Sequence, residues 1–275
     1  MQNTVFKIGD KTFDLENRTY LMGILNVTPD SFSDGGRFIQ EDAALKHVEQ
    51  MIDEGADIID VGGESTRPGH QQISEEEEIH RTASVIKQIR DRFDIPISVD
   101  TYKAKVAKAA IKAGAGLVND IWGLKYDPQM AKLIAETGVS CCLMHNRDNT
   151  EYDNFLEEVK TDMQESLKLA EKAGISEDKI LLDPGVGFGK TYEQNLKIIN
   201  NLSQFKELEY PLLLGTSRKS VIGLTLELPV TERVEGTLVT TVFAVLAGYG
   251  FVRVHDIKEN RRAIQMAEAI WGAGK

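Results

Sequence analysis

From residue 21 onward the chain repeats one pattern of apolar and polar positions. A short apolar run is followed by a polar or glycine-bearing stretch, and then by a longer segment with apolar residues at helical spacing. The short runs cover residues 21–25, 58–61, 97–99, 117–118, 140–144, 180–182, 211–214 and 251–254. Each has the length of a strand buried on both faces. Between them, Leu45, Val48 and Ile52 share a helical face that ends at Gly55, a C-terminal stop signal. Ser74 with Glu77 three residues later predicts a capping box, with Ile79, Ala83, Ile86 and Ile89 behind it. The Glu75 to Glu78 run then reads as a solvated first turn favoured by the helix dipole. Further helices are predicted around Val106, Ala109 and Ala110, around Met130, Leu133 and Ile134, and over 155–173, 192–202, 234–247 and 256–271. Residues 5–15 alternate around Gly9-Asp10 and predict a β-hairpin.

Eight strand–helix units in sequence predict an α/β fold, a (β/α)8 TIM barrel, with a doubly wound sheet as the alternative. No linker, low-complexity segment or composition break interrupts the pattern. The expectation is therefore one domain over 1–275, with a hairpin in 1–16 and a barrel in 20–272.

Chemistry enters through position. Every apolar run ends in polar or glycine residues: Asn26, then Gly62 to Pro68, Asp100, Asn119-Asp120, Met144-His145, Asp183-Pro184-Gly185, Gly215 to Lys219, and Arg253 with His255. In a barrel these ends meet on one rim, where active sites sit. One aspartate after a strand is usually a cap; polar groups after all eight are not explained by capping. Asp100, Asn119 and Asp183 suit a flat heterocycle with amino and amide edges. Lys219 can bond a ring nitrogen or carbonyl, and Ile121, Met144 and Phe188 offer apolar faces. Arg67, Arg253 and His255 suit phosphate oxygens. Asn26 suits a Mg²⁺ shared with a phosphate.

The chain has 32 Lys plus Arg against 43 Asp plus Glu, a formal net charge of −11. That argues against nucleic acid or an anionic membrane surface as partner. The longest apolar stretch, near 238–247, contains Thr240 and Thr241 and is too short to span a bilayer. The two cysteines are adjacent, Cys141 and Cys142, and a strand directs neighbours to opposite faces. A disulfide framework is excluded, which fits a cytoplasmic location, and no secretion signal is expected at the start. The glycines after Asp183 resemble a phosphate loop, but Pro184 stands where the first glycine belongs and Lys190 breaks the dinucleotide pattern. Lys219 likewise replaces the last glycine of a nucleophile elbow.

Read together, the motifs resemble one family. Asn26-Val27-Thr28-Pro29-Asp30-Ser31-Phe32-Ser33-Asp34-Gly35-Gly36 is similar to the first signature of dihydropteroate synthases, and Asp60-Val61-Gly62-Gly63-Glu64-Ser65-Thr66-Arg67-Pro68-Gly69 to the second. Ser98-Val99-Asp100-Thr101, Asn119-Asp120-Ile121, Leu143-Met144-His145, the Asp183 to Lys190 run, Ser217-Arg218-Lys219-Ser220 and Arg253-Val254-His255-Asp256 follow in family order. The resemblance implies an enzyme that joins 6-hydroxymethyl-7,8-dihydropterin diphosphate to 4-aminobenzoate. It implies pterin contacts at Asp100, Asn119, Ile121, Met144, Asp183, Phe188, Gly215 and Lys219. Aminobenzoate would lie near Thr66, Arg67, Pro68, Phe188, Lys219 and Ser220, where sulfonamides would compete. Diphosphate would meet Asn26, Thr66, Arg67, Arg253 and His255, with Mg²⁺ on Asn26. Chemistry would involve Phe32, Asp34, Arg67, Asp183 and Lys219, with the first two on a closing loop. A homodimer is implied as well, and the apolar 234–247 segment points the same way. A methyltetrahydrofolate-type methyltransferase and a non-catalytic pterin-binding barrel are the competing readings. His145 and Arg218 have no assigned role at this level.

Overall fold

The computed structural model describes residues 4–16, 18–27, 37–64 and 72–274, with side chains from residue 41 in the segment that begins at 37. A hairpin of β1 (Val5–Ile8) and β2 (Lys11–Asp14) turns at Gly9, whose φ of +59° is open to glycine. Eight parallel strands follow: β3 (Tyr20–Asn26), β4 (Ile58–Gly62), β5 (Ile97–Asp100), β6 (Leu117–Asp120), β7 (Ser140–Met144), β8 (Ile180–Asp183), β9 (Leu213–Leu214) and β10 (Phe251–Val254). They pair in the order β8-β7-β6-β5-β4-β3-β10-β9. A parallel bridge between Leu182 and Leu212, with Leu182 N donating to Pro211 O at 3.0 Å, brings β8 to β9 and closes the ring.

Helices surround it: α1 (Arg37–Asp53), α2 (Glu75–Arg92), α3 (Ala104–Ala113), α4 (Met130–Thr137), α5 (Phe155–Ala173), α6 (Tyr192–Asn200), α7 (Ser220–Leu226), α8 (Val234–Ala247) and α9 (Ile257–Gly272). The (β/α)8 barrel and its hairpin are as the pattern predicts. The short α7 is additional. Among the described residues no helix is long and apolar enough to cross a membrane.

Two corrections concern α2. Ser74 Oγ accepts from Glu77 N at 3.1 Å, but the Glu77 carboxylate receives Arg81 Nε at 2.8 Å, so only half of the capping box forms. The first turn is not fully solvated. Glu78 is buried, where it accepts Lys103 Nζ at 2.8 Å and the Thr101 hydroxyl at 2.7 Å. A carboxylate is tolerated there because a cation and a hydroxyl meet it.

Alternation along the strands sets up two cores. Outward residues such as Val61, Val99, Cys141 and Leu182 pack under the helices. Inward residues Met22, Ile58, Leu117, Cys142, Leu181, Leu213 and Phe251 form an apolar floor inside the barrel, and Phe6, Ile8 and Phe13 of the hairpin pack against it. Phe13 and Phe6 meet the Phe251 ring edge-on at 5.5 and 5.7 Å between centroids. The hairpin therefore plugs the barrel at the N-terminal end of its strands. Cys141 and Cys142 are both free and buried, one in each core.

Candidate functional site

The site follows from the floor by counting two residues up each strand, because inward side chains recur with period two. Ile58 leads to Asp60, Leu117 to Asn119, Cys142 to Met144, Leu181 to Asp183, Leu213 to Gly215 and Phe251 to Arg253. On β5, Ser98 stands level with Asp60, and Asp100 level with Gly62 and Asn119. A polar layer thus lies directly on an apolar one.

Arg253 organises this layer. Its Nε donates to Asp60 Oδ2 at 2.6 Å and a terminal nitrogen to Asp100 Oδ2 at 2.7 Å. Burial works against its charge, but Asp60 and Asp100 outweigh it and raise its pKa. Asn119 Nδ2 lies 3.4 Å from Asp60 Oδ2. Burial pushes the Asp100 carboxyl up to about 7, opposed by Arg253 and reinforced by Asp60. Burial also raises Asp183, against the pull of Lys219. Asp183 Oδ1 accepts the Gly185 amide at 2.8 Å. Three buried atoms have no partner among the described residues: Asp60 Oδ1, Ser98 Oγ and Asp100 Oδ1. Buried polar atoms are normally satisfied, so these three call for a polar ligand or water.

Two glycines leave the layer open. A Cβ on Gly215 would lie 3.4 Å from Asp183 Oδ2 and 3.9 Å from Lys219 Nζ, and one on Gly62 3.6 Å from Asn26 Oδ1 and 3.8 Å from Asp100 Oδ2. Their missing side chains keep space beside the carboxylates. Tyr102, Ile121 and Met144 form an apolar cluster joined by Trp122 and Phe188. Lys219 Nζ sits 4.6 Å from the Phe188 ring centre and donates to Val186 O. Burial lowers its pKa to about 8, with Asp183 resisting.

Toward the rim, His255 Nδ1 lies 2.9 Å from Ser217 Oγ, and its backbone N–H donates to the same oxygen at 3.1 Å. Arg218, at φ +57°, pairs with Asp256 through Nε at 3.0 Å and through a second contact. It therefore holds a rim carboxylate and fixes the backbone before Lys219. Ser220 begins α7 and is exposed.

The structure thus brings together Asn26, Asp100, Asn119, Ile121, Met144, Asp183, Phe188, Gly215, Lys219, Arg253 and His255. Phe32, Asp34, Thr66, Arg67 and Pro68 lie outside the described residues. Asp60 and Ser98 were missed, although both stand two positions from a floor residue or level with one that does.

Comparison with known proteins gives a consistent result. Residues 22–255 match the profile of a family described as pterin binding enzyme. The dihydropteroate synthase of Clostridium beijerinckii is 62% identical over 265 residues, covering 96% of this chain and 98% of that protein. The dihydropteroate synthase of Clostridium difficile, solved in the presence of pteroic acid, superposes with a TM-score of 0.92 at 52% identity, covering 94% of this chain and 99% of that one. The Xanthomonas albilineans dihydropteroate synthase with 4-aminobenzoic acid gives 0.93 at 38% identity, covering 98% and 99%.

Proposed function

We propose that this chain, which belongs to the pterin binding enzyme family, is a transferase that makes 7,8-dihydropteroate, a dihydropteroate synthase of folate biosynthesis. It joins 6-hydroxymethyl-7,8-dihydropterin diphosphate to 4-aminobenzoate and releases diphosphate. The observation that carries this reading is the polar layer on the apolar floor, with Asp60 Oδ1 and Asp100 Oδ1 buried and unpartnered, and with Gly62 and Gly215 leaving space beside the Asp100 and Asp183 carboxylates. A pterin edge supplies the N–H donors that such acceptors need.

In this reading Asp100, Asn119, Asp183 and Lys219 bind the pterin edge, and Ile121, Met144, Phe188 and Gly215 line its faces. The C–O bond to diphosphate breaks first. The carboxylates of Asp100 and Asp183 then stabilise the electron-poor pterin methylene. The neutral arylamine attacks that carbon and loses a proton, so positioning rather than nucleophile activation is the main demand. Aminobenzoate is placed by Ser220, Lys219 and Phe188 with Thr66, Arg67 and Pro68, and water is excluded by Phe32 and Asp34. Diphosphate meets Asn26, His255, Thr66, Arg67 and Arg253. Arg253 uses two of its five N–H donors on carboxylates, so others are free for phosphate oxygens.

Mg²⁺ fits as a shared ion. Among the described residues no group of three acidic, histidine or cysteine side chains could cage a metal. Mg²⁺ is commonly held by one or two protein oxygens plus phosphate and water, and Asn26 Oδ1 at the Gly62 opening provides one. Bound there, the ion would offset charge on the departing diphosphate.

A homodimer is part of the same reading. The side of α8 that faces the barrel carries Thr237, Thr240 and Thr241, while Val239, Phe243 and Leu246 are exposed. Met266, Ile270 and Trp271 of α9, the helix packed beside it, are exposed too. An apolar outer face over a threonine-bearing inner face suits a second copy of this surface. Phe243→Glu should convert the dimer to a monomer in sedimentation, and a wild type that sediments as a monomer at micromolar concentration would refute it. Two unpaired buried thiols suit a cytoplasmic setting.

The decisive experiment measures diphosphate release from the dihydropterin diphosphate with Mg²⁺, with and without 4-aminobenzoate, for wild type and Lys219→Ala. Aminobenzoate-dependent product, sharply reduced in the variant, is expected. Pterin binding without turnover by wild type would leave a non-catalytic pterin-binding barrel instead.

A further inference from the structure

Behind the pterin wall lies a largely buried row of polar and charged groups that the reaction scheme does not use. Arg147 Nε donates to Asp162 Oδ2 at 2.5 Å. Asp162 Oδ2 lies 2.9 Å from His145 Nε2. His145 Nδ1 lies 2.7 Å from Lys190 Nζ. Lys190 Nζ also reaches Gly185 O and Phe188 O, each at 2.9 Å. His145, Asp162 and Lys190 come from β7's end, α5 and the loop after β8, and all three are buried.

Hydrogen-bond accounting assigns the protons. Burial works against the Asp162 charge, but His145 and Arg147 hold its pKa below the usual carboxylate range. An ionised Asp162 only accepts, so His145 Nε2 carries the hydrogen. Burial and the neighbouring Lys190 push the His145 pKa down to about 4, so the ring is neutral near pH 7 and Nδ1 is bare. A bare Nδ1 and two carbonyls are three acceptors, and only an ammonium has three hydrogens for them. Burial draws the Lys190 pKa well below the lysine value, opposed by the charges of Asp183 and Asp162; the case for the ammonium is the geometry, three acceptors at 2.7–2.9 Å around one nitrogen.

The ammonium is what folds the 185–189 loop. Phe188 N donates to Gly185 O at 3.1 Å, closing a turn whose two carbonyls both point at Lys190. Gly185, at φ +69°, lies so close to His145 O that a Cβ would fall 1.9 Å from it. On its other side the loop presents the Val186 carbonyl and the Phe188 ring to Lys219, and Gly187 approaches the Lys219 stem. We propose that Lys190, oriented by His145 in its Nε2–H tautomer and by Asp162, is the positioning residue that fixes the 185–189 loop and so sets where Lys219 meets the pterin. The proposal rests on the synthase reading for its ligand, and on the hydrogen-bond chain together with burial for its tautomer. Neither Lys190 nor His145 touches the reacting atoms in it.

The test separates the two ring nitrogens. An asparagine at 145 places an amide oxygen near the Nδ1 position, whereas a glutamine reaches toward Nε2. His145→Asn should keep the acceptor for Lys190 and bind 6-hydroxymethylpterin within about twofold of wild type. His145→Gln keeps Asp162's partner but removes one of the three acceptors of the buried ammonium. With the 185–189 loop less firmly held, Lys219 is misplaced, and pterin affinity should fall at least roughly tenfold, about 1.4 kcal/mol. Equal effects of the two variants would mean that the ring only fills space, and would overturn the proposal. Should either variant fail to fold, nitrogen NMR of the wild type with labelled histidine still decides. A neutral Nε2–H imidazole at residue 145 near pH 7 is expected, and an Nδ1–H tautomer or an imidazolium would overturn the relay. If wild type binds no pterin, the synthase reading fails, and the relay is then judged on the NMR tautomer.

Discussion

Replacing Gly215 with alanine should separate stability from ligand binding. Gly215 follows β9, two residues above the floor residue Leu213, and is not among the glycines with positive φ, so alanine suits its backbone. The added methyl would meet Asp183 Oδ2 at 3.4 Å, and Arg253 Cβ and Lys219 Nζ at 3.9 Å, which are ordinary van der Waals contacts. Nothing in the fold has to move. The less flexible unfolded chain adds about 0.4–1 kcal/mol, or roughly 1–4 °C in Tm. The same methyl takes space that a ring would need against Asp183. Overpacking costs about 1–3 kcal/mol, and at about 1.4 kcal/mol per tenfold, pterin affinity falls roughly 5- to 140-fold. Isothermal titration with 6-hydroxymethylpterin, alongside a melt of the free protein, measures both. A variant that melts like wild type and binds pterin as tightly would place the ring elsewhere and refute the pocket.

Three further outcomes are expected. Because burial holds Lys219 near 8, turnover that uses its ammonium should fall as pH rises through about 8. Lys219→Arg should move that limb out of range in a pH–rate profile from 6 to 9.5, and an unmoved limb would assign it to another group. The unfolded chain takes up a proton at His145 near 6.5 and the folded chain only near 4, so more protons bind the unfolded state between these values. His145 should therefore contribute a rise in stability with pH of about 2–3 kcal/mol across that window, against the opposite pull of the raised Asp100 and Asp120 carboxyls; wild type minus His145→Asn in urea titrations at pH 4.5 and 7 should show that difference, and equal pH dependence of the two would refute it. Chelating Mg²⁺ should suppress diphosphate release, and Asn26→Ala should raise the Mg²⁺ concentration needed to restore it; equal Mg²⁺ dependence in the variant would remove Asn26 as a ligand.

The strands were legible because each is a short, mainly apolar run, and six of the eight runs end within one residue of a strand end at both termini. The polar rim was legible because strand order alone brings the ends together. α7 was not. It is only seven residues long, with a glycine inside, so it has no helical stripe to read. It is held by Arg233, whose guanidinium occupies the space where a Gly223 side chain would be. Asp60 and Ser98 were hidden because a single polar residue inside an apolar run reads as noise until the floor beneath it is known. Lys190 and His145 are 45 residues apart in sequence, and nothing local marks them as partners. Glu78 belonged to an acidic run whose composition suggested solvent. Only the tertiary approach of Lys103 and Thr101 singles it out from its three neighbours.

The hairpin beneath the barrel makes the interior a cul-de-sac. Phe6, Ile8 and Phe13 seal the end where the strands begin, so whatever reaches Asp60 and Asp100 arrives past the rim and leaves the same way. In a vessel with one neck, depth dictates sequence. The molecule that rests on the floor has to be admitted first, and the one that binds at the mouth corks it in. Competitors for the outer place would then prolong the stay of the inner occupant rather than displace it.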